Sequence, residues 1–476
     1  MGGLFVKIIA SLGPASTDED LVLQMAKCGA DAFRTNFAHG DPEVWTRRLK
    51  AVRRAEEILN KPLAMIGDLK GPSVRVGDLP QPLTLKSGER VLVAPEYKPP
   101  STQPLIPIPF LSLFETAKPG DEILIDDGRI QLRVLDWKGE ALECEVLVDA
   151  VLEGRKNVSI RGRDLEAPLI NERDLLALKF AALEGFDFVG LSHVRDASDV
   201  EEIKRILKSY GSDAWIISKI ETLSALKNLD SIIEASDVIL VARGDLGIRL
   251  NLEEVPYYQK LMVDKCLKAG KPVIVATQLL ASMVENDTPT RAEVMDVSVA
   301  VTQGVDAVML TNETSVGKYP LQAVRWLKRL ITYTEEKMLR EEMDRISTKA
   351  RDRVYCSEES FARGLVELAE SMGAKLVLYS LKGRTPMKVS SLRQGVPTFT
   401  GTPSSRVARK LAILWGVHAF ITSAQDYDQG LLESFNKTLE AGNVKGGESV
   451  ILGYGLREPE QKIVVKRVGP QCFSSG

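Results

Sequence analysis

Charged and hydroxyl side chains recur immediately after short apolar runs in this chain. Lys219 and Glu221 close one run, and Arg243, Gly244 and Asp245 close the next. Thr277 and Gln278 follow a third, and Thr311, Asn312 and Glu313 a fourth. Earlier in the chain, Arg34, Thr35 and Asn36 precede His39, while Asp68 and Lys70 lead through Gly71-Pro72 to Arg75. Glu221 and Asp245 are hard oxygen donors suited to Mg²⁺ or Mn²⁺. Lys219 is one residue removed from Glu221 across Ile220, so on an extended strand both point to the same face. A divalent ion beside a lysine and arginines suits an oxyanion, for which phosphate is the natural candidate. A buried ion network that only ties the fold together is the competing reading, because any one of these residues alone is as readily a cap or a salt-bridge partner. The backbone of Gly244-Asp245-Leu246-Gly247, ahead of a helical stretch, could cradle an anion. Neither a Walker A loop nor GxGxxG is present. The tripeptide Arg243-Gly244-Asp245 and the sequons at Asn157, Asn312 and Asn436 are coincidences in a chain without a secretory leader.

What must position these residues is a set of strands. Eight runs, at 6–13, 31–38, 63–69, 186–193, 214–220, 237–244, 272–278 and 306–312, are nearly continuously apolar, as buried parallel strands are. Amphipathic segments such as 17–29, 174–185, 199–211 and 255–270 separate most of them. Eight β/α units predict a TIM barrel, whose chemistry collects at the C-terminal ends of its strands. About 117 residues separate the third run from the fourth, too many for a structureless loop. The runs at 90–95, 121–130, 132–137 and 142–151, with their Pro and Gly punctuation, predict an inserted all-β domain. After a charged helical stretch at 334–350 the β/α rhythm resumes at 374–380, 396–401, 418–422 and 448–455. A run at 463–469 then follows a connection short enough for an antiparallel edge strand. The predicted division is a barrel from 1–70 and 166–350, a lid from 71–165, and an open α/β domain from 351–476.

The length of 476 residues agrees with about three domains. Hydrophobic residues at 44 % and charged residues at 27 %, with 62 Lys+Arg against 65 Asp+Glu, exclude recognition by bulk charge, so no nucleic-acid partner is expected. Cys28, Cys144, Cys266, Cys356 and Cys472 are scattered, without a Cys-x-x-Cys pair, and read as reduced thiols. His39, His193 and His418 lack HExxH spacing, which leaves catalysis to Lys, Arg and carboxylates. The N-terminus begins a strand pattern at once, and no apolar run reaches membrane length, so a soluble, unprocessed, cytoplasmic chain is expected.

The segments KIIASLGPAS (7–16), RTNFAHG (34–40), GDLKGPSVR (67–75), IDDG (125–128), SHVRDASDV (192–200), IISKIET (216–222), VARGDLG (241–247), GKPVIVATQLLASM (270–283), PTRAEVMDV (289–297) and MLTNETSVGKYP (309–320) resemble the pyruvate kinase family. The resemblance implies a barrel with a β domain after its third strand, a C-terminal α/β domain, and phosphoryl transfer from phosphoenolpyruvate to ADP. It implies that Glu221 and Asp245 bind the divalent ion, and that Gly244, Asp245 and Thr277 hold the substrate carboxylate. Arg34 would bind the phosphate, and Lys219 would offset charge on the transferring group. Asn36, His39, Arg75 and Lys156 align with nucleotide-contacting positions, and Asp127 with a lid residue facing the site. Thr277 and Thr311 both stand near the family's proton route to the enolate. A homotetramer is also implied.

Two departures stand out. Ala38 and Ser73 replace a hydroxyl and a carboxylate of the family's K⁺ site, leaving Asn36 and Asp68, so activity without K⁺ is expected. The loop Ser380-Leu381-Lys382-Gly383-Arg384-Thr385 matches the family's effector loop but lacks its cluster of hydroxyls, so a plain strand-to-helix connection stays open. Rival functions are a metal-dependent lyase acting on pyruvate enolate and a non-catalytic metabolite sensor. The inserted β domain argues against the first, because a kinase needs a closure over nucleotide. Intact Lys219, Glu221, Asp245 and Thr277 argue against the second.

Overall fold

The computed structural model describes residues 5–72, 74–96, 103–165, 168–352, 357–455 and 460–469. Eight parallel strands close a barrel: Lys7–Leu12, Ala32–Asn36, Ala64–Asp68, Phe188–Leu191, Trp215–Ile220, Val238–Ala242, Val273–Ala276 and Ala307–Leu310. Closure is made by the first strand against the eighth, with Lys7 opposite Ala307. Most strand residues are buried, which explains why the runs read as continuously apolar.

Helix starts follow local chemistry. Asp18, Asp41 and Asp196 cap helices through side-chain oxygens that accept backbone N–H groups. Asn171 with Asp174, and Thr290 with Glu293, form capping boxes. The second box gives the PTRAE segment a structural role: Glu293 also accepts from the Ser282 N–H and Oγ–H, at 2.7 and 2.5 Å.

Between the third and fourth barrel strands lie a six-stranded and a two-stranded sheet around their own apolar core. This piece also carries one short helix, Leu111–Thr116, which its strand-like runs did not predict. Two of those runs are broken. The stretch 121–130 folds back at Asp126, Asp127 and Gly128, all at positive φ, between Glu122–Ile125 and Ile130–Lys138. The stretch 142–151 ends one strand at Val146 and starts another at Ala150.

The charged stretch after the barrel contains a helix, Arg340–Arg351, preceded by a π-helical turn, Glu335–Leu339. The C-terminal sheet runs in the order Val417–Ile421, Thr398–Thr402, Lys375–Tyr379, Ser449–Tyr454, Lys462–Arg467. Its last pairing is antiparallel, as the short connection allows. Leu411, Ile413, Leu414 and Val417 of this domain share one buried cluster with Ile9, Ala32, Ala64, Ile217 and Val238, so the domain stops the N-terminal end of the barrel. The buried Arg393–Asp306 ion pair and the Arg409–Glu56 pair join the same two bodies. No helix among the described residues is long and apolar enough to cross a membrane.

Candidate active site

The C-terminal ends of the barrel strands converge as the sequence predicts. Arg34, on the second strand, donates from Nε to Asp68 Oδ2 at 2.8 Å, and its Nη2 reaches the same oxygen. Lys219 Nζ, from the fifth strand, lies 3.5 Å from Asp68 Oδ2, 2.8 Å from Ser192 Oγ and 2.9 Å from Glu221 Oε1. Two cations from different strands thus lean on one buried carboxylate. The other oxygen of that carboxylate, Asp68 Oδ1, is buried without a hydrogen-bond partner. It packs against Gly190, where a Cβ would stand only 2.6 Å from it.

Charge here is mutually compensated. Burial alone would lower the Lys219 pKa, but the Asp68 and Glu221 carboxylates overcome it and hold the ammonium charged. Burial would raise the pKa of Glu221, and Lys219 reverses that. Asp245 moves the other way: burial first, and then the negative charge of Glu221, push its carboxyl up. Two carboxylates that resist ionising together are a donor set that a divalent cation fits. No cluster of three or more His, Cys, Asp or Glu side chains suited to a metal occurs among the described residues. Among the described residues, Glu221 and Asp245 are a carboxylate pair that would leave Mg²⁺ its remaining positions for water and substrate oxygens.

Thr277 Oγ1 accepts the Gly244 N–H at 2.7 Å. The Gly244 amide is therefore committed to Thr277, whose own hydroxyl hydrogen remains to donate to a ligand. The Asp245 N–H lies in the first turn of the helix Arg243–Arg249, which contains the whole GDLG segment rather than following it. Thr311 differs, because its Oγ1 lies 3.3 Å from Glu313 Oε2, an oxygen that also accepts the Thr311 N–H at 2.8 Å. Two strand-end residues prove to be scaffolding. Arg243 is buried, with Nη2 donating to the Thr277 and Gln278 carbonyls at 2.7 and 3.0 Å and Nη1 paired with Asp296. Glu313 is buried and accepts the Leu280 N–H at 3.1 Å. Arg243 thereby supports Thr277 and Gln278, which hold φ of +68° and +54°.

A cleft of about 260 Å³ opens between the strand ends and the inserted sheets. Asn36, His39, Asp68, Arg75, Lys219 and Asp245 line it. Asp127 is exposed on the inserted domain; its carboxylate accepts from Asn157 Nδ2 at 2.5 Å, and Asn157 lines the cleft. Lys156 is not brought to the cleft: its ammonium pairs with Asp126 at 3.4 Å and Glu153 at 3.3 Å, nearer carboxylates that sequence spacing could not rank. At the supposed K⁺ position, Asn36 Oδ1 accepts the Ala38 N–H at 2.9 Å, and Ser73 lies outside the described residues. Asp68 Oδ2 is held by Arg34 and Lys219, while its Oδ1 has no partner. Arg173 donates to the carbonyls of Phe37 and Gly40, on either side of Ala38. Lys382, Gly383 and Arg384 line a separate cavity of about 300 Å³ with Asp213, Trp215 and Lys410, against the opposite end of the barrel. Ser380 and Thr385 beside it are buried.

Sequence reasoning missed Ser192, His193, Arg249 and Asp174. Asp174 accepts the Lys70 N–H at 3.0 Å and so holds the loop after the third strand. Ser192 and His193 follow the fourth strand, and inspecting every strand end would have found them.

Fold and site together define a (β/α)8-barrel protein of the kind that carries enzymes, with cations and carboxylates gathered in a cleft beneath inserted β sheets. Residues 5–324 match the family model "Pyruvate kinase, barrel domain" and residues 359–462 match "Pyruvate kinase, alpha/beta domain". Pyruvate kinase of Aeropyrum pernix is 36 % identical, covering 94 % of this chain and 95 % of its own. That of Pyrobaculum aerophilum is 36 % identical, covering 97 % and 96 %. Its crystal structure superimposes with a TM-score of 0.88 at 34 % identity, over 98 % of this chain and all of that one. A pyruvate kinase structure from Cryptosporidium parvum gives 0.91 at 31 % identity, over 97 % and 96 %. The chain belongs to the pyruvate kinase family, phosphotransferases that move a phosphoryl group from phosphoenolpyruvate to ADP, giving pyruvate and ATP.

Proposed function

We propose that this reaction runs at the Lys219 cluster. The observation that carries the reading is Lys219 Nζ set between Glu221 and the Asp68–Arg34 pair. Glu221 and Asp245 would hold Mg²⁺ or Mn²⁺, which would supply Lewis-acid charge neutralisation to the bound anion. Arg34 and Lys219 bind the phosphoryl group, and Lys219 offsets charge growing on it during transfer, where catalysis is mainly positioning and electrostatics. The Thr277 hydroxyl and the Asp245 N–H receive the substrate carboxylate. Of the two threonines beside the family's proton route, Thr311 has its hydroxyl within reach of Glu313, whereas Thr277 accepts the Gly244 N–H and keeps its hydroxyl hydrogen for a ligand. Asn36, His39 and Arg75 contact the nucleotide, with Asp127 closing from the lid; Lys156 contributes only if it leaves Asp126 and Glu153.

A coupled assay of ADP-dependent pyruvate release, with and without Mg²⁺, tests the reading. Lys219→Met should cost roughly 10²–10³ in kcat and leave the melting temperature unchanged. Substantial turnover in that variant defeats the assignment. The same assay in K⁺-free buffer should retain its rate, since the Arg173 guanidinium on the Phe37 and Gly40 carbonyls supports the loop that a bound cation would otherwise order.

The division at 1–70 with 166–350, 71–165 and 351–476 is the working domain plan. A cytoplasmic homotetramer fits the exposed Leu252, Tyr257 and Met295 and the open edge strand Lys462–Arg467, with Ile463 and Val465 exposed. A sedimentation mass of one chain would exclude it. The loop 380–385 keeps Lys382 and Arg384 for a phosphorylated effector, and equal thermal shifts of wild type and Arg384→Ala would remove it from consideration.

A further inference from the structure

His193 lies two residues past the fourth barrel strand at φ +56°, a left-handed conformation that a non-glycine residue keeps only where its surroundings over-determine it. Its N–H donates to Glu221 Oε2 at 2.9 Å. Its ring Nδ1 lies 3.2 Å from Arg249 Nη2 and 3.7 Å from Glu221 Oε2. The longer separation is not a hydrogen bond, and a guanidinium can only donate. Nδ1 therefore accepts from Arg249, and the ring is the neutral Nε2–H tautomer.

Arg249 is anchored in turn, with Nη1 donating to Asp164 Oδ1 at 2.7 Å. Asp164 also accepts the Leu223 and Ser224 N–H groups at 3.2 and 2.7 Å. Asp164 lies where the chain returns from the inserted β sheets to the barrel, and Arg249 ends the helix that carries Asp245. One hydrogen-bonded series thus runs from that junction through Arg249 and His193 to Glu221. All of Asp164, His193 and Arg249 line the cleft.

We infer that His193 is a positioning residue for Glu221, held in register by Arg249 and Asp164, so that the junction between the β domain and the barrel sets the aim of the metal-binding carboxylate. The inference rests on Glu221 being a ligand of the divalent ion. The His193 N–H holds Oε2, and this leaves Oε1 turned toward Lys219. Without the Arg249–imidazole contact, the left-handed turn at residue 193 has no side-chain anchor and Glu221 loses its fixed donor.

Mn²⁺ binding to the full chain without substrates, followed by the electron paramagnetic resonance signal of free Mn²⁺, tests this apart from turnover. Outer partners of metal ligands typically contribute roughly 10–100-fold in affinity. His193→Phe and Arg249→Met should each weaken Mn²⁺ binding by about tenfold, with melting temperatures unchanged. The double variant should be no weaker than either single one, because the two residues act in series. His193→Gln, whose side-chain oxygen can accept from Arg249, should restore most of the affinity. If His193→Phe fails to fold, Arg249→Met and His193→Gln still decide the matter. Wild-type affinity in Arg249→Met or in a folded His193→Phe overturns the inference, provided that Glu221→Gln abolishes binding. If Glu221→Gln also binds Mn²⁺ normally, the metal reading itself has failed.

Discussion

Asp68 binds no substrate in this scheme, yet both phosphate-facing cations lean on it. Its Oδ1 has no partner and abuts the bare Cα of Gly190, so a methyl there would meet that oxygen at 2.6 Å and the carboxylate carbon at 3.3 Å. Gly190→Ala should push the carboxylate away from Arg34 and Lys219. A displacement of about 1 Å can cost roughly 10²-fold in rate, so kcat/KM should fall by about 10- to 100-fold with only a modest loss of melting temperature. Wild-type kinetics in this variant would show that Asp68 does not aim the two cations. The need for Gly190 was not legible in the sequence, where it is one residue in an apolar run. The cations and carboxylates themselves were legible, because apolar runs ending in charge can be counted. Direction was not: Arg243 and Asp245 follow the same strand two residues apart, but only Asp245 lines the cleft, while Arg243 turns back to the Thr277 and Gln278 carbonyls.

At the scale of elements, the first barrel strand is entered through Phe5 and Val6, whose N–H groups donate to Glu335 at 3.0 and 2.8 Å from the start of the π-helical turn. Burial raises the Glu335 carboxyl to about 7, despite those donors and the nearby Lys7 and Lys328. Burial likewise lowers Lys7 to about 8. The folded chain holds the Glu335 proton more tightly than the unfolded chain, which releases it near 4.5, so stability falls as pH rises from about 4.5 through 7. For Lys7 the folded chain binds its proton less tightly, so the stability present above 10.5 is lost as pH falls through about 8. Both penalties are fully in force only between about 7 and about 8. Glu335→Gln should remove the first, so its melting temperature should climb relative to wild type between pH 5 and 7.5. Parallel traces would exclude Glu335 as the titrating group. Element types and order were largely readable, since buried strands and amphipathic helices have distinct periods. The breaks inside 121–130 and 142–151 were missed because an apolar pattern persists through a hairpin, although Asp126-Asp127-Gly128 carries the chemistry of a tight turn.

Across the whole molecule, the barrel and the C-terminal domain are one packing unit. Arg393, at φ +52°, pairs with Asp306, donates from Nε to the Gly304 carbonyl at 3.0 Å, and lies over the Trp415 ring. Asp306 also accepts the Trp415 N–H at 3.0 Å and the Val273 N–H at 2.9 Å. Removing one partner of a buried ion pair typically costs about 3–5 kcal/mol. Arg393→Met should lower unfolding stability by that order in a denaturant titration, and a change below about 1 kcal/mol would show that the pair is dispensable. None of this junction was readable beforehand, because contacts between residues almost ninety positions apart leave no periodic trace. The stopper at the base of the barrel also bears on synthesis. Leu414 leaves the ribosome about a hundred residues after Leu310, the end of the last barrel strand. At roughly 5–20 residues per second that is an interval of about 5–20 s. For that time each nascent chain carries eight complete strands whose lower core is still open to water, and chaperones and proteases would meet it in that form.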